Sequence, residues 1–170
     1  MRLLHKNQKG FTLIEVLITV MIVAGIGVVT TAAIGQLVQS NRTSNHMVAV
    51  RQVQQAGHRV SQDCIQAQDI TNSTVPGSGG FPLTLNWTAW EGGEFHTVVY
   101  TLNSSGELKR EETVGTNPPT TAVVAQYIEP PDSTNCSWNA TAGVLTLNVT
   151  ARVGLQTESR TYEIKPRPSV

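Results

Sequence analysis

The chain has 170 residues, with twelve acidic and twelve basic side chains and therefore no net charge. This length holds about one domain. A neutral chain has no overall attraction to nucleic acid or to acidic surfaces, so nucleic acid is not an expected partner. The two cysteines lack the paired spacing of zinc and redox motifs. No ligand spacing relates the four histidines, so we expect no metal and no other cofactor; they are His5, His46, His58 and His96.

The N-terminal part of the chain joins a short basic leader to a long apolar run. Residues 1–10 contain three lysine or arginine residues and no acidic one, and between residues 11 and 39 the only charge is Glu15. A helix of roughly 20 apolar residues spans a bilayer, so we expect a membrane-spanning helix over residues 11–38. Basic residues beside such a helix remain in the cytoplasm, which places the rest of the chain outside it.

Glu15 is unexpected in a membrane segment. A carboxylate at membrane depth costs about 2.5–3.5 kcal/mol on insertion scales. The dipole of a helix N-terminus returns only about 0.3–1 kcal/mol of this. The side chain is therefore expected to have a cationic partner.

The obvious cleavage point lies before the apolar run, between Gly10 and Phe11, whereas a secretory signal peptide is cut after its apolar region. The sequence KGFTLIEVL at residues 9–17 resembles the prepilin cleavage and methylation motif of type IV pilins and type II secretion pseudopilins. The match covers roughly residues 6–30. It implies that Gly10 precedes the cut, that Phe11 becomes the N-methylated terminus, and that Glu15 is the acidic residue used in assembly.

The resemblance also implies partners and a location. The partners are a prepilin peptidase, other pilin or pseudopilin subunits, and an inner-membrane assembly platform. The chain would cross the inner membrane once, with its head outside the cytoplasm, and then join a filament in the periplasm or at the cell surface. The amine of Phe11 in a neighbouring subunit would be the partner of Glu15, and the amine of the same chain is the alternative.

Beyond the membrane span the pattern becomes that of an amphipathic helix. Apolar and small residues recur at spacings of three and four from Val50 to Ala67, with polar side chains such as Arg59 and Asp63 assigned to the intervening faces. We therefore expect the helix to continue over residues 39–70 and to pack its apolar stripe on a globular head.

The head, residues 71–170, is predicted to be β-rich. After a breaker cluster at 71–80, alternating patterns predict strands over 83–87, 95–102, around Leu108, over 144–153 and over 157–164. A turn is expected at 91–94. The segment 123–128 is compatible with a strand or a helical turn. The predicted fold is α+β, with the long helix covering one face of an antiparallel sheet.

Cys64 and Cys136 form a single pair in a part of the chain expected outside the cytoplasm, which favours a disulfide. It would close a loop of about 70 residues and stabilise the head by a few kcal/mol. Two reduced, buried cysteines are the alternative.

The head indicates a structural role without catalysis. The end of the helix at residues 59–67 is followed by a strand with a tryptophan, then by VVYTL at 98–102 and GELKR at 106–110. This order resembles that of the J-type minor pseudopilin, and type IV minor pilins share the layout. We therefore expect a minor pilin or pseudopilin subunit. The alternative is a binding module mounted on the filament, either adhesin-like or recognising secreted substrates or DNA. Three tryptophans are interpreted as core residues, with an exposed partner surface as the alternative: Trp87, Trp90 and Trp138.

Overall fold

The structure is a computed structural model that describes residues 10–89 and 92–167. It divides into two compact units, Met1–Asn41 and Arg42–Val170. His5, Trp90 and Glu91 from the sequence analysis lie outside the described residues.

One α-helix, α1, runs from Leu13 to Gln66. Its end differs from the expected boundary near Ile70. The amide of Ala67 is shared between the carbonyls of Asp63 and Cys64, at 3.1 Å each, and such bifurcated bonds are typical of helix termini. Ile70 instead lies in a strand that pairs with Leu85, because that pairing buries its side chain.

Eight strands follow the helix. They are β1 (Asp69–Asn72), β2 (Leu83–Thr88), β3 (Phe95–Leu102), β4 (Leu108–Val114), β5 (Thr120–Ala125), β6 (Asn135–Asn139), β7 (Val144–Val153) and β8 (Gln156–Ile164). They form two antiparallel sheets, one in the order β1-β2-β3-β4-β5 and the other in the order β6-β7-β8. The strands therefore form two sheets, whereas the sequence predicted a single sheet.

The connection between β2 and β3 contains the expected turn, of which Gly92 and Gly93 are described. Both glycines have positive φ, 89° and 65°, a conformation that other residues rarely adopt. The amide of Ala89 bonds the carbonyl of Glu94 at 2.8 Å. These two glycines allow the chain to reverse between the paired strands.

The core of Arg42–Val170 lies between the helix and both sheets. The helix buries Ala49, Val53, Ala56, Val60 and Cys64 completely. Its Gly57 lies against the ring of Tyr162 in β8, and Asp63 bonds Tyr100 in β3 and Arg110 in β4. This arrangement confirms the predicted α+β fold with a long N-terminal helix packed on antiparallel sheet.

Two expectations about side chains differ in outcome. The apolar stripe is buried from Val53 to Ala67, with Val50 half-buried at its start. Asp63, assigned by its polarity to a solvent-facing position, is only 4% exposed. Its carboxylate is buried because it has bonding partners on the sheet. Trp87 is buried in the core and Trp138 packs against it, as the core interpretation predicts.

Candidate functional site

The Gly10–Phe11 peptide bond lies just before the helix. Neither residue is helical in the structure, and α1 begins two residues later at Leu13. The side chain of Phe11 is 77% exposed, and a Cβ added at Gly10 would meet no atom within 4 Å. This peptide bond therefore lies outside the helix, whereas cleavage of a bond within α1 would first require local unfolding.

Thr12 caps the start of α1. Its carbonyl accepts bonds from the amides of Glu15 at 3.0 Å and Val16 at 3.2 Å. Its side-chain Oγ1 also accepts from the amide of Glu15, at 3.4 Å. Thr12 is thus the N-cap residue and Glu15 the third helical residue, which is the spacing of a capping box. The sequence signal for this cap, Thr-x-x-Glu, stood inside the cleavage motif and was not interpreted as a cap.

The position of Glu15 gives it a local role. It is the acidic residue of the first helical turn, where unpaired backbone amides and the helix dipole favour a negative charge. Its side chain is exposed. The helix N-terminus therefore offsets part of the free-energy cost of placing the Glu15 carboxylate in a membrane. The exposed carboxylate can still contact a cationic group.

The first part of α1 is long and apolar enough to cross a membrane by length and composition. The most apolar 18-residue window of the helix has a mean hydropathy of 2.5, and none of that window is buried within the molecule. Exposed apolar side chains are usual on a surface only when scattered. Here they surround the helix, which is the pattern of a segment whose environment is lipid.

The polar side chains within this apolar segment bond internally. The hydroxyls of Thr30 and Thr31 donate to the carbonyls of Ile26 and Gly27 at 2.8 and 2.9 Å. Such bonds to the preceding turn let threonine enter hydrocarbon without an unsatisfied group. These threonines are therefore compatible with a spanning helix.

Residues 5–24 match the family model of the prokaryotic N-terminal methylation motif. The chain carries a prepilin-type N-terminus. This match supports the resemblance to the type IV pilin and pseudopilin family, and the motif marks structural subunits rather than enzymes. It implies processing by a peptidase and assembly with other pilin subunits, and together with the apolar helix it fits membrane anchoring followed by filament assembly. No curated protein and no solved structure matched the chain.

A second cluster, in Arg42–Val170, was not anticipated from the sequence. Asp63 Oδ2 accepts from Tyr100 Oη at 2.5 Å and from Arg110 Nε at 2.6 Å. Arg110 Nη1 also donates to Glu112 Oε2 at 2.7 Å, and Glu112 Oε1 lies 3.4 Å from His96 Nδ1. These contacts lead from buried Asp63 on the helix, through buried Arg110, to the half-buried side chains of Glu112 and His96.

The surroundings of Tyr100 and Glu112 shift the pKa values of these two side chains in opposite directions. Burial, together with the charge of Asp63 and its hydrogen bond, raises the pKa of Tyr100 far above its usual range, so the phenol stays protonated and donates. The hydrogen bond from Arg110 lowers the pKa of Glu112 against the opposing effect of burial. Within the described residues, no buried side-chain nitrogen or oxygen lacks a partner. The cluster is thus a satisfied connection between helix and sheet.

Cys64 and Cys136 are both buried and are free thiols in the structure. Burial raises the pKa of each to about 12, with the charge of Asp63 adding to the effect at Cys64. The structure does not show the expected disulfide, and it places both cysteines in the same core. Groups of three or more histidine, cysteine or acidic side chains suited to a metal are absent from the described residues.

Proposed function

We propose that this chain is a structural subunit of a type IV pilus or type II secretion filament, as a minor pilin or pseudopilin without catalytic activity. The observation that carries the proposal is the methylation motif at residues 5–24, followed directly by the exposed apolar helix. Its domains are a cleaved leader over 1–10, a membrane helix over 11–38, an amphipathic continuation and a β-rich head.

Processing would take place at Gly10–Phe11. Hydrolysis of this peptide bond consumes one water and leaves a carboxylate on Gly10 and a free amine on Phe11. Transfer of a methyl group from an electrophilic methyl donor to that amine would give the N-methylated terminus. The exposure of Phe11 and the absence of helix before Leu13 support access to this bond.

Assembly would use Glu15 as the contact for the new amine of a neighbouring subunit. Insertion of an unpaired carboxylate into the bilayer is costly, and the helix terminus offsets only part of that cost. An amine from the next subunit would supply the rest and would also fix the stagger between adjacent helices. The inner-membrane platform would be the place where this exchange of partners occurs.

The test compares the variants Glu15→Ala and Gly10→Val in the native host. Three properties are measured: the membrane-bound fraction, loss of the leader mass, and copurification with other subunits in sheared filaments. For E15A we expect normal membrane insertion and loss of filament incorporation. For G10V we expect a membrane-bound chain that retains its leader. Glu163→Ala, at an exposed acidic residue of β8, is the matched control and should assemble.

Two results would contradict the proposal. Incorporation of E15A at the level of the control would remove the assembly role of the carboxylate. A head that binds secreted cargo or DNA in isolation, in a chain that does not copurify with other pilins, would favour the filament-mounted binding module.

A further inference from the structure

Helix α1 begins two residues after the Gly10–Phe11 bond, and no proline fixes that boundary. Proline limits a helix through its fixed φ and its missing amide, but residues 10–13 contain none. Phe11 is nevertheless outside the helix, which starts at Leu13. Another feature of this stretch must therefore decide where the helix starts.

The hydrogen bonds at Thr12 mark this boundary. Its carbonyl accepts from the amides of Glu15 and Val16 at 3.0 and 3.2 Å, so it is the first acceptor of the helical ladder. Its side-chain Oγ1 accepts from the Glu15 amide at 3.4 Å, a donor in the first turn, where the helix supplies no acceptor of its own. The carbonyl of Gly10 lies two residues before this first acceptor and stays outside the ladder.

A helix that started at Gly10 would also have an acceptable cap. Glycine and threonine are about equally favourable at the N-cap position. In that longer helix Phe11 would be the first helical residue, and the carbonyl of Gly10 would accept from the amide of Ile14, four residues later. The carbonyl of the bond that is broken in leader removal would then be tied to the helix.

Two properties of threonine favour the shorter helix. In the shorter helix its hydroxyl is the cap, whereas in the longer helix it would occupy a helical position, for which a residue branched at Cβ has a low propensity. Alanine reverses both properties, since it is a poor cap and the best helix former. Thr12→Ala should therefore move the helix start toward Gly10. Thr12→Val should not, because valine is a poor helix former as well as a poor cap.

We propose that Thr12 is a positioning residue for leader removal, which caps α1 and so keeps the Gly10 carbonyl outside the helix for the prepilin peptidase. Proteases act on opened segments of chain, so the rate depends on the fraction of molecules in which this carbonyl is free. The step itself consumes one water and leaves a carboxylate on Gly10 and an amine on Phe11. The inference rests on the proposed function, because it takes cleavage at this bond as its starting point.

The experiment measures leader removal from the full chain in detergent micelles by a purified prepilin peptidase. The initial rate at which the leader mass is lost is followed over a range of chain concentrations, which gives kcat and KM. The variants at the cap are Thr12→Ala, Thr12→Val and Thr12→Ser. Thr19→Ala is the matched control, because the Thr19 hydroxyl donates to the carbonyl of Val16 at 2.8 Å within α1 and is not part of the cap.

We expect T12A to raise KM by up to about fivefold, the factor that corresponds to the loss of one cap. Its kcat should be unchanged, because molecules with the longer helix are withheld from the enzyme and the others react normally. T12S and T19A should keep the original KM. T12V should keep it too, and it separates a shift of the helix start from a contact between the threonine hydroxyl and the peptidase.

Hydrogen exchange of the uncleaved chains measures the helix start without the enzyme. In T12A the amide of Ile14 should exchange more slowly than in the unsubstituted chain, because it would donate to the Gly10 carbonyl. In T12V the same amide should not gain protection. A higher KM together with a protected Ile14 amide, in T12A alone, would support the inference.

Three results would overturn the inference and leave the proposed function intact. A KM of T12A equal to that of T12S, or an Ile14 amide that gains no protection in T12A, would show that the cap does not control access. An equal rise of KM in T12A and T12V would assign the effect to a contact of the hydroxyl with the peptidase. A loss confined to kcat would place the effect in the chemical step. No cleavage of the unsubstituted chain at Gly10–Phe11 would instead contradict the proposed function, and this inference with it.

Discussion

Arg110 Nε donates a hydrogen bond to Asp63 Oδ2 at 2.6 Å, joining strand β4 to the last turn of the helix. Both side chains are more than nine-tenths buried. The carboxylate also accepts from Tyr100, and Arg59 lies 4.0 Å away on the helix. A buried ion pair of this kind adds little stability over apolar packing, but the loss of one partner is costly because the other remains charged. It therefore restricts how the helix can sit on the sheet.

We predict that Asp63→Asn lowers the free energy of unfolding by about 3 kcal/mol, the low end of the range for breaking a buried ion pair, because Arg110 loses one of its two carboxylate partners and keeps only Glu112. Tyr100→Phe removes one neutral donor to the same carboxylate and should cost roughly 1.5–3 kcal/mol, as expected for a bond to a charged group. Urea unfolding of the full chain in detergent, followed by tryptophan emission, measures both. A smaller loss for D63N than for Y100F would contradict the assignment of Asp63 as the centre of the cluster.

Gly57 and Tyr162 give a second prediction. A Cβ at position 57 would lie 2.1 Å from Cζ of Tyr162, and the ring is held by a 3.2 Å bond from its hydroxyl to the carbonyl of Val53. Gly57→Ala should therefore destabilise the head by about 1–3 kcal/mol, the usual range for overpacking.

The control for this prediction uses the same substitution without the ring. In a Tyr162→Ala background, G57A should become stabilising by up to about 1 kcal/mol, because alanine is the better helix former. Gly35→Ala, where an added Cβ meets nothing within 4 Å, should not destabilise the head. Destabilisation by G57A that persists in the Y162A background would show that the ring is not the obstacle.

The sequence predicted some of these elements well, for identifiable reasons. Strands β3 and β7 have the expected bounds, because alternation of apolar and polar residues reports which face is buried. Strand β1 was assigned to the end of the helix and the breaker cluster, since four residues are too few to show a period. Strand β6, Asn135–Asn139, is mostly polar and gave no signal.

The candidate sites also differ in whether a local sequence pattern marks them. The cleavage motif and its cap are local in sequence, so residues 9–17 are enough to recognise them. The Asp63–Arg110 pair joins residues 47 positions apart, and no local pattern marks either one as buried. Asp63 was assigned to solvent because single-sequence patterns treat every charged residue as exposed.

The pH dependence of stability should reflect Glu112. Its pKa is lowered from 4.5 by the hydrogen bond from Arg110, so the folded state holds its proton more weakly than the unfolded state. A group of this kind contributes stability above the unfolded pKa and loses it as the pH falls through the folded value. We expect unfolding free energy to decrease below pH of about 4.5, and Glu112→Gln to make that decrease shallower. An unchanged acid dependence in E112Q would assign the effect to other carboxylates.

The cap at Thr12 is expected to affect the start of the helix alone. Thr12→Val removes the side-chain acceptor of the Glu15 amide, and loss of a cap costs about 1 kcal/mol. Hydrogen exchange at the first-turn amides should accelerate in T12V and remain near the original rate in Thr12→Ser, which keeps an oxygen. Equal exchange in T12V and T12S would show that the side chain does not cap the helix.

The state of Cys64 and Cys136 can be decided by counting thiols. Both are buried and their pKa values are raised to about 12, so neither should react with a maleimide at neutral pH while the head is folded, since the thiolate is the reacting species. After unfolding in denaturant without reductant, two reactive thiols would establish the free state that the structure shows. No reactive thiols without reductant, and two after it is added, would establish the disulfide expected for an extracytoplasmic domain.

If the disulfide is present, Cys64→Ser should lower the free energy of unfolding by a few kcal/mol through loss of the cross-link. Cys136→Ser should have the same effect, because either substitution removes the same bond.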